Sequence, residues 1–141
     1  MALTVLVTED DLAALAELSR GLRDAGHLVI TARDGLAALE QIRTARPDVV
    51  LAEVVLPRLN GFQLCRRLRE DDAIARVPVV LMSDSVTAAD HYWAQQVGAR
   101  ALLGKPVLVT IFAGGVAGHG QIRPLAPHHS LADNHASMIA M

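Results

Sequence analysis

Glu53 closes an apolar run, Val49-Val50-Leu51-Ala52, and two further acids, Glu9 and Asp10, close an earlier one, Val5-Leu6-Val7. A third apolar stretch leads into Lys105-Pro106. Short apolar runs bounded by polar residues read as buried strands. If those strands run side by side in one direction, the acids and the lysine collect at their carboxyl ends, where open α/β sheets bind ligands. Clustered carboxylates repel one another unless a cation compensates. A hard cation such as Mg²⁺ suits carboxylates together with a backbone carbonyl, and Lys105 offers a second positive charge. Lys105 could neutralise Glu53 or hold an anion, and the hydroxyl of Ser83, beyond the apolar run that ends at Met82, could donate to the same anion. A cation, a lysine and hydrogen-bond donors are what a transferred phosphoryl group requires.

The elements that must position these residues follow from periodicity. Strands are predicted over Leu3–Val7, Leu28–Ala32, Val49–Glu53, Val77–Met82 and Ala101–Leu103. Between them, Leu12, Leu15, Leu18 and Leu22 recur at helical spacing within Asp11–Ala25, and Gly26 stops that helix. Asp34 is a cap for a helix over Gly35–Ala45, which ends before Pro47. Helices are also predicted over Gly61–Glu70 and, capped by Asp84 or Ser85, over Ala88–Val97, with Gly98 as its stop. Alternating continuously apolar strands with helices is the pattern of a parallel sheet covered on both faces.

With 141 residues the chain suits one domain. Its hydrophobic content of 52% argues against disorder, and with aromatics at 3% the core must be built from Val, Leu, Ile and Ala. A net charge of −2 gives no sign of a general nucleic-acid binder. A lone cysteine, Cys65, excludes an internal disulfide framework and fits a reducing compartment. No secretory signal or membrane-length apolar run is visible, so a cytoplasmic protein is expected.

Five stretches carry a resemblance to a known family. They are Val5-Leu6-Val7-Thr8-Glu9-Asp10-Asp11, Pro47-Asp48-Val49-Val50-Leu51-Ala52-Glu53, Leu56-Pro57-Arg58-Leu59-Asn60-Gly61-Phe62, Pro78-Val79-Val80-Leu81-Met82-Ser83 and Gly98-Ala99-Arg100-Ala101-Leu102-Leu103-Gly104-Lys105-Pro106. In order and spacing the chain resembles the receiver domain of two-component response regulators. The resemblance implies a flavodoxin-like, doubly wound five-stranded parallel sheet in the order 2-1-3-4-5 with five helices. It implies that Glu9 and Asp10 are the acidic pair that holds Mg²⁺, with Val55 giving a backbone carbonyl to the metal. Glu53 then falls on the phosphoacceptor aspartate and belongs to the same metal site. Ser83 matches the hydroxyl residue that contacts the phosphoryl group, and Lys105 the lysine that pairs with the acylphosphate.

Four residues depart from the family pattern. Glu53 is about 1.5 Å longer than aspartate, and in-line attack on a histidine phosphate tolerates little misplacement. Such a Glu imitates a phosphorylated acid imperfectly, with one charge in place of about two. Leu102 occupies the switch position, usually Tyr or Phe, and can only pack. Asp84 adds a carboxylate beside the site, which either disfavours an arriving anion or caps the next helix. Thr8 stands where an apolar residue is commoner and still suits a strand. A signalling module that works by protein–protein interaction is therefore expected, not an enzyme, with little or no phosphorylation and at most weak Mg²⁺ binding. A phosphorylation-competent or phosphomimetic-locked regulator is the alternative. A small Mg-dependent phosphatase is a third, and no substrate-binding insertion is visible for it.

The resemblance implies a sensor histidine kinase or a downstream protein as partner. It also implies docking or homodimer formation through the face of the fourth helix, fifth strand and fifth helix. That face would hold His91, Tyr92, Arg100, Val107 and Ile111, with Trp93 packed in an ordinary way. The receiver is expected over 1–117, and 118–141, with His119, His128, His129 and His135, as a flexible tail or truncated linker.

Overall fold

The computed structural model describes residues 2–107. Five strands and four helices alternate: β1 (Thr4–Thr8), α1 (Leu12–Asp24), β2 (Leu28–Ala32), α2 (Gly35–Ala45), β3 (Val49–Glu53), α3 (Gly61–Arg69), β4 (Val79–Ser83), α4 (Ala88–Gln96) and β5 (Ala101–Gly104). All four strand pairings are parallel and the order is β2-β1-β3-β4-β5, as the resemblance implies. The expected fifth helix, Ile111 and the 118–141 tail lie outside the described residues.

Side chains alternate across a strand, so each strand feeds two core layers. Leu6, Val50, Ala52, Leu81 and Leu102 pack on one face with Leu39, Ile42, Leu64 and Leu68 of α2 and α3. Val5, Val7, Val49, Leu51, Val80, Met82 and Ala101 pack on the other with Leu15 and Leu22 of α1. The strand ends inherit this parity. Glu9, Glu53 and Lys105 continue the α1 side, in step with Val7, Leu51 and Leu103. Ser83 and Asp10 continue the opposite one.

Local signals set the element ends. The Asp11 side chain accepts from the N–H groups of Ala13 and Ala14, and that of Asp34 from Ala37. Asn60 and Gln63 exchange hydrogen bonds in a capping box at α3. The cap of α4 is Thr87, which forms a second box with Asp90. This corrects the expectation of Asp84 or Ser85, and β4 also runs further than expected, through Ser83. Leu12, the first residue of α1, is exposed despite its helical register.

Two glycines let the loop after β3 close down. A Cβ on Gly35 would run into the Leu59 carbonyl oxygen, and one on Gly61 would lie 2.6 Å from that of Glu53. Both obstacles are backbone, so neither can step aside cheaply. The loop itself holds Arg58 at φ 70°, a left-handed conformation uncommon for a side chain of this size. The Lys105–Pro106 peptide bond is cis.

Candidate functional site

Parity and the parallel register bring Glu9, Glu53 and Lys105 together. The Lys105 Nζ lies 2.6 Å from Glu9 Oε1 and 2.8 Å from Glu53 Oε2. Both carboxylates are buried, with side-chain exposures of 3% and 5%, while the lysine keeps 18%. Glu9 Oε2 accepts from the Asp11 N–H at 3.3 Å, and Glu53 Oε1 from the Val55 N–H at 3.4 Å. The Lys105 ion pair is the contact made by Glu53 Oε2, which has no further hydrogen-bond partner among the described residues.

The electrostatics follow from burial. Desolvation lifts the Glu53 carboxyl above its ordinary value of 4.5, the nearby Lys105 charge pulls it back, and Glu9 adds repulsion. Burial lowers the Lys105 ammonium's pKa, but its close contacts with the Glu53 and Glu9 carboxylates outweigh this and hold it above its usual range. The lysine is thus a fixed cation between two acids, and the trio carries a net −1 when all three are ionised.

Of the other positions singled out, Val55 meets the trio through its N–H and Asp84 through a long contact to Lys105. Asp10 is exposed, and its carbonyl accepts from Arg33 at 3.4 Å. Val55 is 73% exposed. The Ser83 hydroxyl donates to the Ser85 carbonyl at 3.1 Å and accepts from the Ser85 N–H, so it is turned into its own loop. Asp84 is 85% exposed with one oxygen 3.9 Å from Lys105, an outer contact and not a cap. Leu102 is fully buried in the α2–α3 side of the core.

On the expected docking face two corrections are needed. His91 is fully buried instead of lining a surface, because it precedes buried Ala94 by one helical turn. Trp93 is 47% exposed and not packed in the core; it meets half-buried Tyr92 edge-on at 5.2 Å. Val107 is half-buried and packs against the α1 side of the core.

The donor set does not fit a divalent cation as arranged. The two converging carboxylates are both committed to Lys105, and among the described residues no cluster of three or more Asp, Glu, His or Cys side chains could hold a metal.

Sequence reasoning passed over Arg69. Its guanidinium bonds the carbonyls of Ala75 at 2.8 Å, Val77 at 3.0 Å and Gly98 at 2.8 Å, tying the entries to β4 and β5 to the end of α3. The available signal was a basic residue in the last turn of a helix, a common partner for free carbonyls.

A five-stranded parallel sheet with acids and a lysine at its carboxyl edge defines a receiver-type α/β module. Residues 5–110 match the response regulator receiver domain, and the chain belongs to that family. It is 35% identical over 103 residues to protein PilH of Pseudomonas aeruginosa, covering 73% of this chain and 85% of PilH. It is 35% identical over 108 residues to response regulator MprA of Mycobacterium ulcerans, covering 75% of this chain but only 45% of MprA. Among solved structures, the chemotaxis response regulator CheY4 of Vibrio cholerae superposes with a TM-score of 0.72 at 28% identity, over 78% of this chain and 92% of CheY4. A response regulator from Chloroflexus aurantiacus gives 0.73 at 29% identity, over 78% and 90%. Receiver domains of this family are generally signalling modules, not enzymes, and interact with histidine kinases and effector partners. They typically bind Mg²⁺ at the phosphorylation site.

Proposed function

We propose that this receiver is an interaction module with a preset state, in which Glu53 replaces the phosphoacceptor aspartate and takes up little or no phosphoryl group. The observation that carries this is the Lys105 ammonium spanning Glu9 and Glu53 at 2.6 and 2.8 Å. In this reading the lysine compensates the carboxylates from within, in the role the family gives to a metal. An incoming phosphoryl group brings further negative charge to a trio that already sums to −1, and it must find room beside the longer Glu side chain.

A lock that fully imitates phosphorylation is less well supported. Lys105 does make the contact expected of an acylphosphate partner, but the Ser83 hydroxyl is committed to Ser85 and Leu102 cannot relay a movement. Signalling then rests on the constitutive shape of the surface. A sensor kinase or a downstream protein is the partner class, and self-association around Tyr92, Val107 and Ile111 belongs to the same proposal. So does a cytoplasmic location, supported by the single cysteine; among the described residues no helix is long and apolar enough to cross a membrane.

The test is intact-mass measurement after incubation with acetyl phosphate and Mg²⁺. The natural chain is expected to stay unmodified. Glu53→Asp shortens the acid and opens the site, and is expected to gain one phosphoryl group. Phosphoryl uptake by the natural chain on Glu53 would overturn the proposal.

A further inference from the structure

Five arginines among the described residues have a side-chain partner. Arg43 pairs with Asp71, Arg58 with Asp34, and Arg33, Arg46 and Arg69 donate to backbone carbonyls. The Arg66 guanidinium, exposed on α3, is among those with neither an ion-pair nor a hydrogen-bond partner among the described residues, and it is the one that borders the groove between α3 and α4. That groove, of about 290 Å³, is lined also by Asn60, Phe62, Gln63, Trp93 and Val97. Trp93 is the chain's single tryptophan and, among the described residues, the one aromatic in the set of exposed large hydrophobic side chains. The solvent stripe of α4 that carries it, Ala89, Trp93 and Gln96, has no charge at all. By contrast, Glu17, Arg20 and Asp24 stud the exposed side of α1.

An indole held half out of water beside an uncommitted guanidinium is the residue pair most enriched at binding hot spots. The groove falls below the roughly 300–1,000 Å³ of small-molecule pockets, which suits one anchoring side chain from a larger partner. Its charge is complementary to a carboxylate, because Arg66 is the one charged residue lining it and its amide neighbours Asn60 and Gln63 are neutral. We propose that the α3–α4 groove docks an acidic segment of a partner protein, with an apolar or aromatic side chain set against Trp93 and Phe62 and an adjacent Asp or Glu paired with Arg66. The proposal rests on the reading of this chain as an interaction module, but not on the state of Glu53, whose side chain does not line the groove.

The groove reports on itself, since all tryptophan emission comes from Trp93. Random dodecapeptides displayed on phage are selected on the purified chain and counter-selected on Arg66→Glu. The winners are then synthesised and titrated while tryptophan emission is followed. Enriched peptides are expected to carry Asp or Glu next to an apolar anchor, to shift the emission saturably, and to weaken at least tenfold with Arg66→Glu and severalfold with Arg66→Gln. Replacing the peptide acids by Lys is expected to abolish binding. Trp93→Ala, read by heteronuclear NMR shifts of α3 and α4, should weaken the same peptides. Thermal melts check that the variants stay folded, as their exposed positions imply. No enrichment, neutral or basic winners, indifference to Arg66→Glu, or tighter binding of a single-stranded oligothymidylate than of any peptide would each overturn the proposal. Because the natural chain and Glu53→Asp are both titrated, failure at the groove stays distinct from failure of the phosphoryl-uptake reading.

Discussion

The two ends of the sheet use positive charge in different ways. At the amino ends of β4 and β5, Arg69 spends its donors on three backbone carbonyls, while Arg46 bonds the Ala73 carbonyl at 3.0 Å. The amino end of β1 is closed in a similar manner, with the Leu3 N–H on His27 Nδ1 and the Thr4 N–H on Asp48. At the carboxyl edge, one ammonium is shared by two buried carboxylates, and Glu53 Oε2 has no further hydrogen-bond partner among the described residues. One end holds its two arginine side chains on backbone carbonyls and buries no carboxylate. The other keeps uncompensated negative charge in a poorly solvated place. Buried charge that is only partly balanced is costly to hold, and its presence at one end alone marks that end as the place kept for something other than stability.

That contrast can be broken most strongly through the lysine. Lys105→Met leaves Glu9 and Glu53 facing each other with side-chain exposures of 3% and 5%. It is expected to destabilise the fold by about 3 kcal/mol at neutral pH. Much of the loss should return on acidification, since protonating one acid removes the repulsion. Urea titrations at two pH values measure this. A loss independent of pH would mean that the lysine acts by packing alone.

At the opposite end Arg69→Met keeps the aliphatic stem but strands three carbonyls. About 2 kcal/mol of destabilisation is expected, this time with little change across the acid range. The same urea titrations separate the two ends by their pH dependence.

The third expectation concerns slope. The Glu53 carboxyl is raised above 4.5 chiefly by burial, so the folded chain binds that proton more tightly than the unfolded one. A group shifted this way loses stability as pH rises from its unfolded pKa through its folded one. The melting temperature of the natural chain should therefore decline relative to Glu53→Gln across the window that opens just above pH 4.5. A parallel pair of curves would show that the acid is as well solvated folded as unfolded.

The smallest effect is a control. Arg43 and Asp71 pair at 3.2 Å with exposures of 52% and 31%. Arg43→Ala is expected to cost about 0.5 kcal/mol or less, and less still in high salt.

Much of this was legible in the strands. Runs such as Val49 to Ala52 can only be buried on both faces, and their spacing by amphipathic helices demands a parallel sheet. Strand parity also puts residues 9, 53 and 105 on one side and 83 on the other. The motifs reached the same cluster through resemblance. Trp93 and His91 were misjudged because α4 has no clear apolar stripe, and a histidine in a helix looks like surface until the packing buries it.

Order along the chain, then, determined which elements form, how they alternate and which acids arrive at the carboxyl edge, because periodicity and capping are local properties. Tertiary structure alone decided that Lys105 spans both Glu9 and Glu53, that Ser83 turns into its own loop, and that Arg69 gathers three carbonyls. These are contests between partners distant in sequence, settled by distances of a few tenths of an ångström and by how much water each group has lost. No pattern of residue types carries that information.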